Sequence, residues 1–336
     1  MKIDAGLVFG NLRQVPTVAQ AAEALGFDAI WTSETQHEAL LPLPLVAEHT
    51  QRLQFGTAIA VAFARSPTIL AHIAWDLAAQ SGGRFILGLG TQVKAHIERR
   101  FGLTWESPAA KLRETILAIR AVWDCWQNGT SLNFRGRFYR LTLMSPFFNP
   151  GPIATPQVPI FIAGVNAALC QLAGELADGF HVHPFHSAKY LREVILPAIQ
   201  AGAARRGRTR RDVQTTSSVF VITNEAEREM VRAQVAFYAS TPSYRAVLDC
   251  HGWGAAGERL SHLAARREWG DMPREITDEM LEAFAVVTTP DELPTQLIAR
   301  YDGLLDRIAL YVPFVPGERD DRWRALAEAL HAHETD

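Results

Sequence analysis

GLVFGNLRQ, residues 6–14, ends the first apolar run of the chain and leads into its first helical pattern. An open sheet that binds a dinucleotide at its first strand-to-helix turn carries G-x-G-x-x-G there, because glycine lets the backbone come close to a pyrophosphate. Here Leu7, Val8 and Phe9 separate Gly6 from Gly10, so that fingerprint is absent. Apolar runs at 3–9, 27–33, 55–67, 84–90, 159–164, 178–183, 213–223 and 306–314 nevertheless read as eight strands, most of them continuous rather than alternating. Helical periods lie between them, as at 18–26, 42–52, 67–83 and 108–127. Strands covered on both faces and separated by helices predict an α/β fold, a (β/α)8 TIM barrel, rather than an open doubly wound sheet.

Local signals agree with that order. Gly26 stops the first helix, Ser66 and Pro67 cap and begin the third, and Thr289 to Glu292 predicts a capping box ahead of a late helix. LNFRGRFYRL (132–141) predicts a hairpin around Arg135-Gly136, and the pattern breaks over 91–107. One barrel domain over 1–336 is expected, with insertions at the mouth at about 91–110, 128–158 and 240–285. The last of these, with Trp253 and Trp269, is expected to pack as a helical cover.

Composition narrows the function. A net charge of −3 gives little support to a nucleic-acid partner. The five arginines of RRGRTRR (205–211) read first as a solvated helix end, and second as a landing surface for an anionic tail. No run approaches the roughly 18 to 20 apolar residues of a membrane span, and Asp4 interrupts any signal-like start, so a cytoplasmic protein is expected. Cys125, Cys170 and Cys250 are far apart and predict free thiols rather than a disulfide or zinc site.

In a barrel of this kind chemistry gathers at the carboxyl ends of the strands. That rule nominates Phe9 to Asn11, Ser33 to His37, Ala62 to Arg65, Gly90 to Lys94, Gly164 to Asn166, His181 to Phe185, and the segment after Phe314. Glu34 and His37 could serve acid–base chemistry, or could cap a helix and face water. His181 and His183 share one strand face, but with Glu34 they lack a further ligand at diagnostic spacing, so no metal is expected. Gly164 opens a helix whose free N–H groups suit an anion. No Ser-His-Asp order or G-x-S-x-G is present.

GFDAIWTSE (26–34), FGTAIAVAFARSP (55–67), GGRFILGLGTQ (82–92), FRGRFY (134–139), VPIFIAGV (158–165) and ELADGFHVHPF (175–185) together resemble the bacterial luciferase-like superfamily. The likeness is greatest to its branch of oxidoreductases that use the deazaflavin coenzyme F420. It implies a flavin or deazaflavin across the strand ends and an oxidoreductase that exchanges hydride with an organic substrate. An FMN-dependent monooxygenase and a non-catalytic cofactor-binding barrel are the alternatives. The likeness also implies a bulged third strand whose backbone, with a non-prolyl cis peptide at Ala58-Ile59, supports the ring from behind. Small side chains there would let backbone touch the ring.

The same resemblance puts Thr91 and Gln92 against the cofactor and Ala163, Gly164, Val165 and His183 around its phosphate; Phe9 and His181, nominated by their place at strand ends, are expected to join them as cofactor contacts. Val93 stands where some dehydrogenase relatives have a glutamate. Glu34 occupies the family's acidic position, Thr35 that of the histidine which usually follows, and His37 is the candidate substitute. F420 continues past its phosphate into an acidic tail, which KAHIERR (94–100) and Arg65 could attract. A small-molecule substrate and a homo-oligomer, dimer or higher, complete the expectation.

Overall fold

The computed structural model describes residues 1–335. Eight parallel strands form a closed barrel: β1 (Lys2–Gly6), β2 (Ala29–Thr32), β3 (Gln54–Thr57), β4 (Phe85–Gly90), β5 (Ile160–Gly164), β6 (Gly179–Val182), β7 (Gln214–Ile222) and β8 (Arg307–Leu310). Each pairs with its neighbours in order, and the pairing of β8 with β1 closes the ring. Helices α1 (Val15–Ala24), α2 (Leu43–His49), α3 (Pro67–Ser81), α4 (Pro108–Asn128), α5 (Ala167–Leu176), α6 (Leu196–Ala204), α7 (Leu293–Tyr301) and α8 (Asp320–Thr335) follow the successive strands. The expected TIM barrel is therefore what the chain forms.

Outward residues such as Ile3, Ala5, Phe55, Phe85, Leu87 and Phe180 join the helices in one large apolar core, while Ala29, Trp31, Ile86 and Phe161 form a separate cluster. Strand side chains alternate between the two sides of a sheet. Asp4 and Arg307 meet in a fully buried bidentate pair at 2.8 Å, and Trp31 Nε1 donates to the same carboxylate. Gln54 accepts from the guanidinium. One buried polar knot thus ties β8 to β1, β2 and β3.

Capping at α3 follows the sequence: Ser66 accepts from the Ile69 N–H, Pro67 opens the helix, and Gly82 ends it at φ 65°. The hairpin also forms, Phe134–Arg135 against Arg140–Leu141. Three details differ. Thr289 does not cap α7, which begins at Leu293; its hydroxyl instead donates to the Glu292 side chain in the turn before the helix. The segment 91–107 holds a short helix, Lys94–Arg99. Ala285–Val287 forms an extra strand on Phe220–Ile222, the part of β7 that has run beyond its barrel partners. Among the described residues no helix is long and apolar enough to cross a membrane, and the three cysteines are free.

Candidate active site

The third stave breaks step with its neighbour. Gly56 faces Ile86, an offset of 30 residues, whereas Ala60 in the continuation Ala60–Val61 faces Leu89, an offset of 29. One extra residue is therefore accommodated in between, as in a β-bulge, and the Ala58-Ile59 peptide within it is cis. The expected bulge and cis bond are both present.

Side chains repair the interrupted ladder. Thr57, fully buried, accepts from Gly88 N–H at 3.0 Å and donates to Gly88 O at 2.5 Å. Glycine is required at 88, since a Cβ there would lie 1.6 Å from Thr57 O, and a Cβ at Gly90 would lie 2.6 Å from the Ile59 side chain. On the opposite side Ala58 N–H donates to Thr32 O, Ser33 Oγ donates to Ala58 O at 3.0 Å, and Glu34 N–H reaches Ile59 O at 3.3 Å. GLG at 88–90 and TSE at 32–34 thus hold the bulge from its two flanks.

Glu34 continues this clamp. Its Oε2 accepts from Val61 N–H at 2.7 Å and from Arg65 Nη1 at 2.8 Å. Arg65 also bonds the Val61 carbonyl and Glu38. The Glu34 side chain is only 6% exposed and that of Arg65 14%, so the pair is shielded from water and salt. A carboxylate oxygen committed to a backbone N–H and a guanidinium suits positioning of the stave. It also engages Arg65, a residue expected to attract an anionic tail.

His37 is exposed and stacks on Phe9, with centroids 5.0 Å apart and planes 23° apart. Thr91 is buried, and Gln92 adopts φ 60° with its side chain accepting from Val93 N–H. In the helix that follows, Lys94 and Arg99 are exposed, and Arg100 donates to Thr35 O.

Three histidines follow or end β6, and each has a different setting. His181 lies inside the barrel, edge-on to Trp31 at 4.9 Å, with its Nε2 buried and without a partner. Burial, with the Arg307 charge second, holds its pKa down at about 3. His183 lies at the mouth between Tyr244 (4.3 Å) and Tyr238 (4.7 Å), held at about 4 by burial. Its Nδ1 accepts from Phe185 N–H, which can only donate, so the neutral ring carries its proton on Nε2. His186 faces the carbonyl of His183 with Nδ1, and its Nε2 has no partner.

Beside His183 begins α5. Asn166 caps it by accepting from Leu169 N–H, which leaves the N–H groups of Ala167 and Ala168 as the uncapped start. A Cβ on Gly164 would lie 2.4 Å from the Leu169 side chain, so glycine is needed for helix-on-strand packing as well. A flat ring with a phosphate arm meets suitable chemistry here: backbone and small side chains at Ala58 and Ala163, and neutral donors at α5 and His183.

Sequence reasoning missed an aromatic wall on the β6–β8 side. Tyr238, Tyr244, Phe220 and Tyr311 gather there, with Tyr238 and Tyr311 hydroxyls 2.6 Å apart. Their signal was weak, because Tyr238 comes from the helix Glu225–Ala239 after β7 and Tyr244 from the insertion, not from strand ends. Trp253 instead stacks on His251, and Trp269 is half exposed beside Phe237. The RRGRTRR arginines bond Gln171, Glu175, the Ala177 carbonyl and Asp306, around loops that precede β6, β7 and β8. They sit at the end of the barrel opposite the mouth, as a helix end would, and cannot receive a ligand tail there. Among the described residues no three His, Cys, Asp or Glu side chains converge as a metal site.

A profile of the luciferase-like monooxygenase family matches residues 2–307, and the chain belongs to that family. An uncharacterized protein of Mycobacterium tuberculosis is 46% identical over 314 residues, 92% of each chain. An F420-dependent glucose-6-phosphate dehydrogenase of Nakamurella multipartita is 30% identical, covering 93% of this chain and 89% of its own. The fold is shared with the coenzyme F420-dependent tetrahydromethanopterin reductase of Methanopyrus kandleri at a TM-score of 0.77, 19% identity and 99% coverage of both chains.

Proposed function

We propose that the chain is an F420-dependent oxidoreductase whose cofactor lies across the barrel mouth beside an organic substrate. The observation that carries this reading is the bulged third stave, where backbone is presented at the mouth and two flanking strands are built to keep it there. The deazaflavin, when bound, supplies hydride exchange in two-electron steps; the protein supplies position and electrostatics.

Ala58 and Ile59 would back the ring, with Phe9, Thr91 and Gln92 at its edges and His181 beneath as a neutral, polarisable floor. Ala163, Gly164, Val165, the start of α5 and His183 would receive the phosphate. Their donors are neutral, since burial keeps His183 uncharged at physiological pH. Neutral donors match a phosphate that continues into a tail and bears one charge better than a terminal phosphate monoester bearing nearly two. This favours F420 over FMN. Glu34 and Arg65 would fix the stave, and exposed His37 is the candidate for proton exchange with the substrate.

Titration of the purified protein with F420 and with FMN, followed by cofactor fluorescence, tests the reading. F420 should bind more tightly by at least tenfold, about 1.4 kcal/mol. Tighter binding of FMN, or binding of neither, overturns it.

A further inference from the structure

We propose that Tyr311, backed by Tyr238, is the hydrogen-bond donor that anchors the substrate's oxygen, and that the substrate is an apolar carbonyl compound or alcohol seated over Gly6. The inference rests on the reading above for the reaction, and on separate geometry for the binding.

Arg307 points into the barrel, where it meets Asp4. Strand residues two apart share a face, so Ala309 lies on the face of Arg307; Tyr311, the first residue past β8, continues the ladder by donating its N–H to Val219 O at 2.8 Å and stands half-buried at the mouth. The register sets Asp4 opposite Ala309, and continued by two residues it would set Gly6 opposite Tyr311. Gly6 is exposed, and a Cβ there would meet nothing within 4 Å. An open place therefore lies next to the phenol, on the inner face of the barrel.

The hydroxyls of Tyr311 and Tyr238 are 2.6 Å apart. One hydrogen bond between two hydroxyls leaves one of their two hydrogens uncommitted; with Tyr238 donating, it is the hydrogen of the half-buried Tyr311. A donor at the end of such a chain is strengthened by polarisation. Around it the surface is aromatic: Phe220 lies 4.6 Å from Tyr311 and Tyr244 packs on Tyr238. One directed donor among aromatic rings selects a compact apolar molecule with a single oxygen acceptor.

The test uses 4-(dimethylamino)cinnamaldehyde, whose absorption moves to longer wavelength when its carbonyl accepts a hydrogen bond. The wild-type protein should bind it saturably with a red shift. Tyr311→Phe keeps the ring contacts with Phe220 and should lose the shift and bind about tenfold more weakly; Tyr238→Phe should keep a reduced shift. Gly6→Val should exclude the probe. A purely structural tyrosine pair predicts the same shift in wild type and Tyr311→Phe, and that result overturns the proposal, as does a wild type that binds the probe unshifted or not at all. F420 affinity is measured on the same samples. Its absence would defeat the preceding reading while leaving the probe result to stand or fall by itself.

Discussion

Replacing Thr57 with valine removes one hydroxyl and keeps the shape of a fully buried side chain. That hydroxyl stands in for the ladder at the bulge, accepting from Gly88 N–H at 3.0 Å and donating to Gly88 O at 2.5 Å. Without it both backbone groups are left in the interior without their partner. A buried group so stranded costs about 1–3 kcal/mol, so the two together cost about 2–6 kcal/mol. Thr57→Ser keeps the hydroxyl and loses one methyl, about 1 kcal/mol. Urea unfolding followed by tryptophan fluorescence should rank stability as wild type, then serine, then valine, and F420 affinity should fall in the same order. Equal stability of the valine and serine variants, or a more stable valine variant, would refute the idea that this hydroxyl holds the stave.

Acid should destabilise the protein through its buried histidines. His181 is held at about 3 and His183 and His186 at about 4, against 6.5 for a free imidazole. The unfolded chain takes up these protons below about 6.5 and the folded chain does not until its depressed values are reached, so stability is intact above about 6.5 and falls as pH drops toward 4. Each histidine contributes a slope of about 1.4 kcal/mol per pH unit. Urea midpoints between about pH 7.5 and pH 5 check this, and a flat profile would contradict it. At the opposite end of the strands, Asp4→Ala removes the carboxylate from a guanidinium that is 1% exposed and should cost about 3–5 kcal/mol. Asp4→Leu with Arg307→Met should cost less than Asp4→Ala alone; a larger loss would show that the pair is not held by charge.

Part of the site was legible because its cause is local. Ser66-Pro67 caps α3 wherever the helix lies, by short-range chemistry that needs no distant partner. The bulge at Ala58-Ile59 could be expected only through resemblance, since nothing in a run of small apolar residues indicates a slipped register. Its supports were illegible singly: Thr57, Gly88 and Gly90 look like ordinary strand residues until two strands lie side by side. Glu34 was visible as a carboxylate at a strand end, but its engagement by Val61 and Arg65 depends on how the stave bends.

The chain's alternation of apolar runs and helical periods settled the barrel, because burial of both strand faces is a property of each segment and needs no knowledge of its partners. It also nominated the carboxyl ends of the strands as the place for chemistry. What only the folded chain decided is which side chains meet across the ring: Arg307 with Asp4, Tyr311 with Tyr238, and His183 with Tyr244. Those meetings join residues up to some three hundred positions apart, and their energies come from the burial and geometry that exist only once the ring has closed.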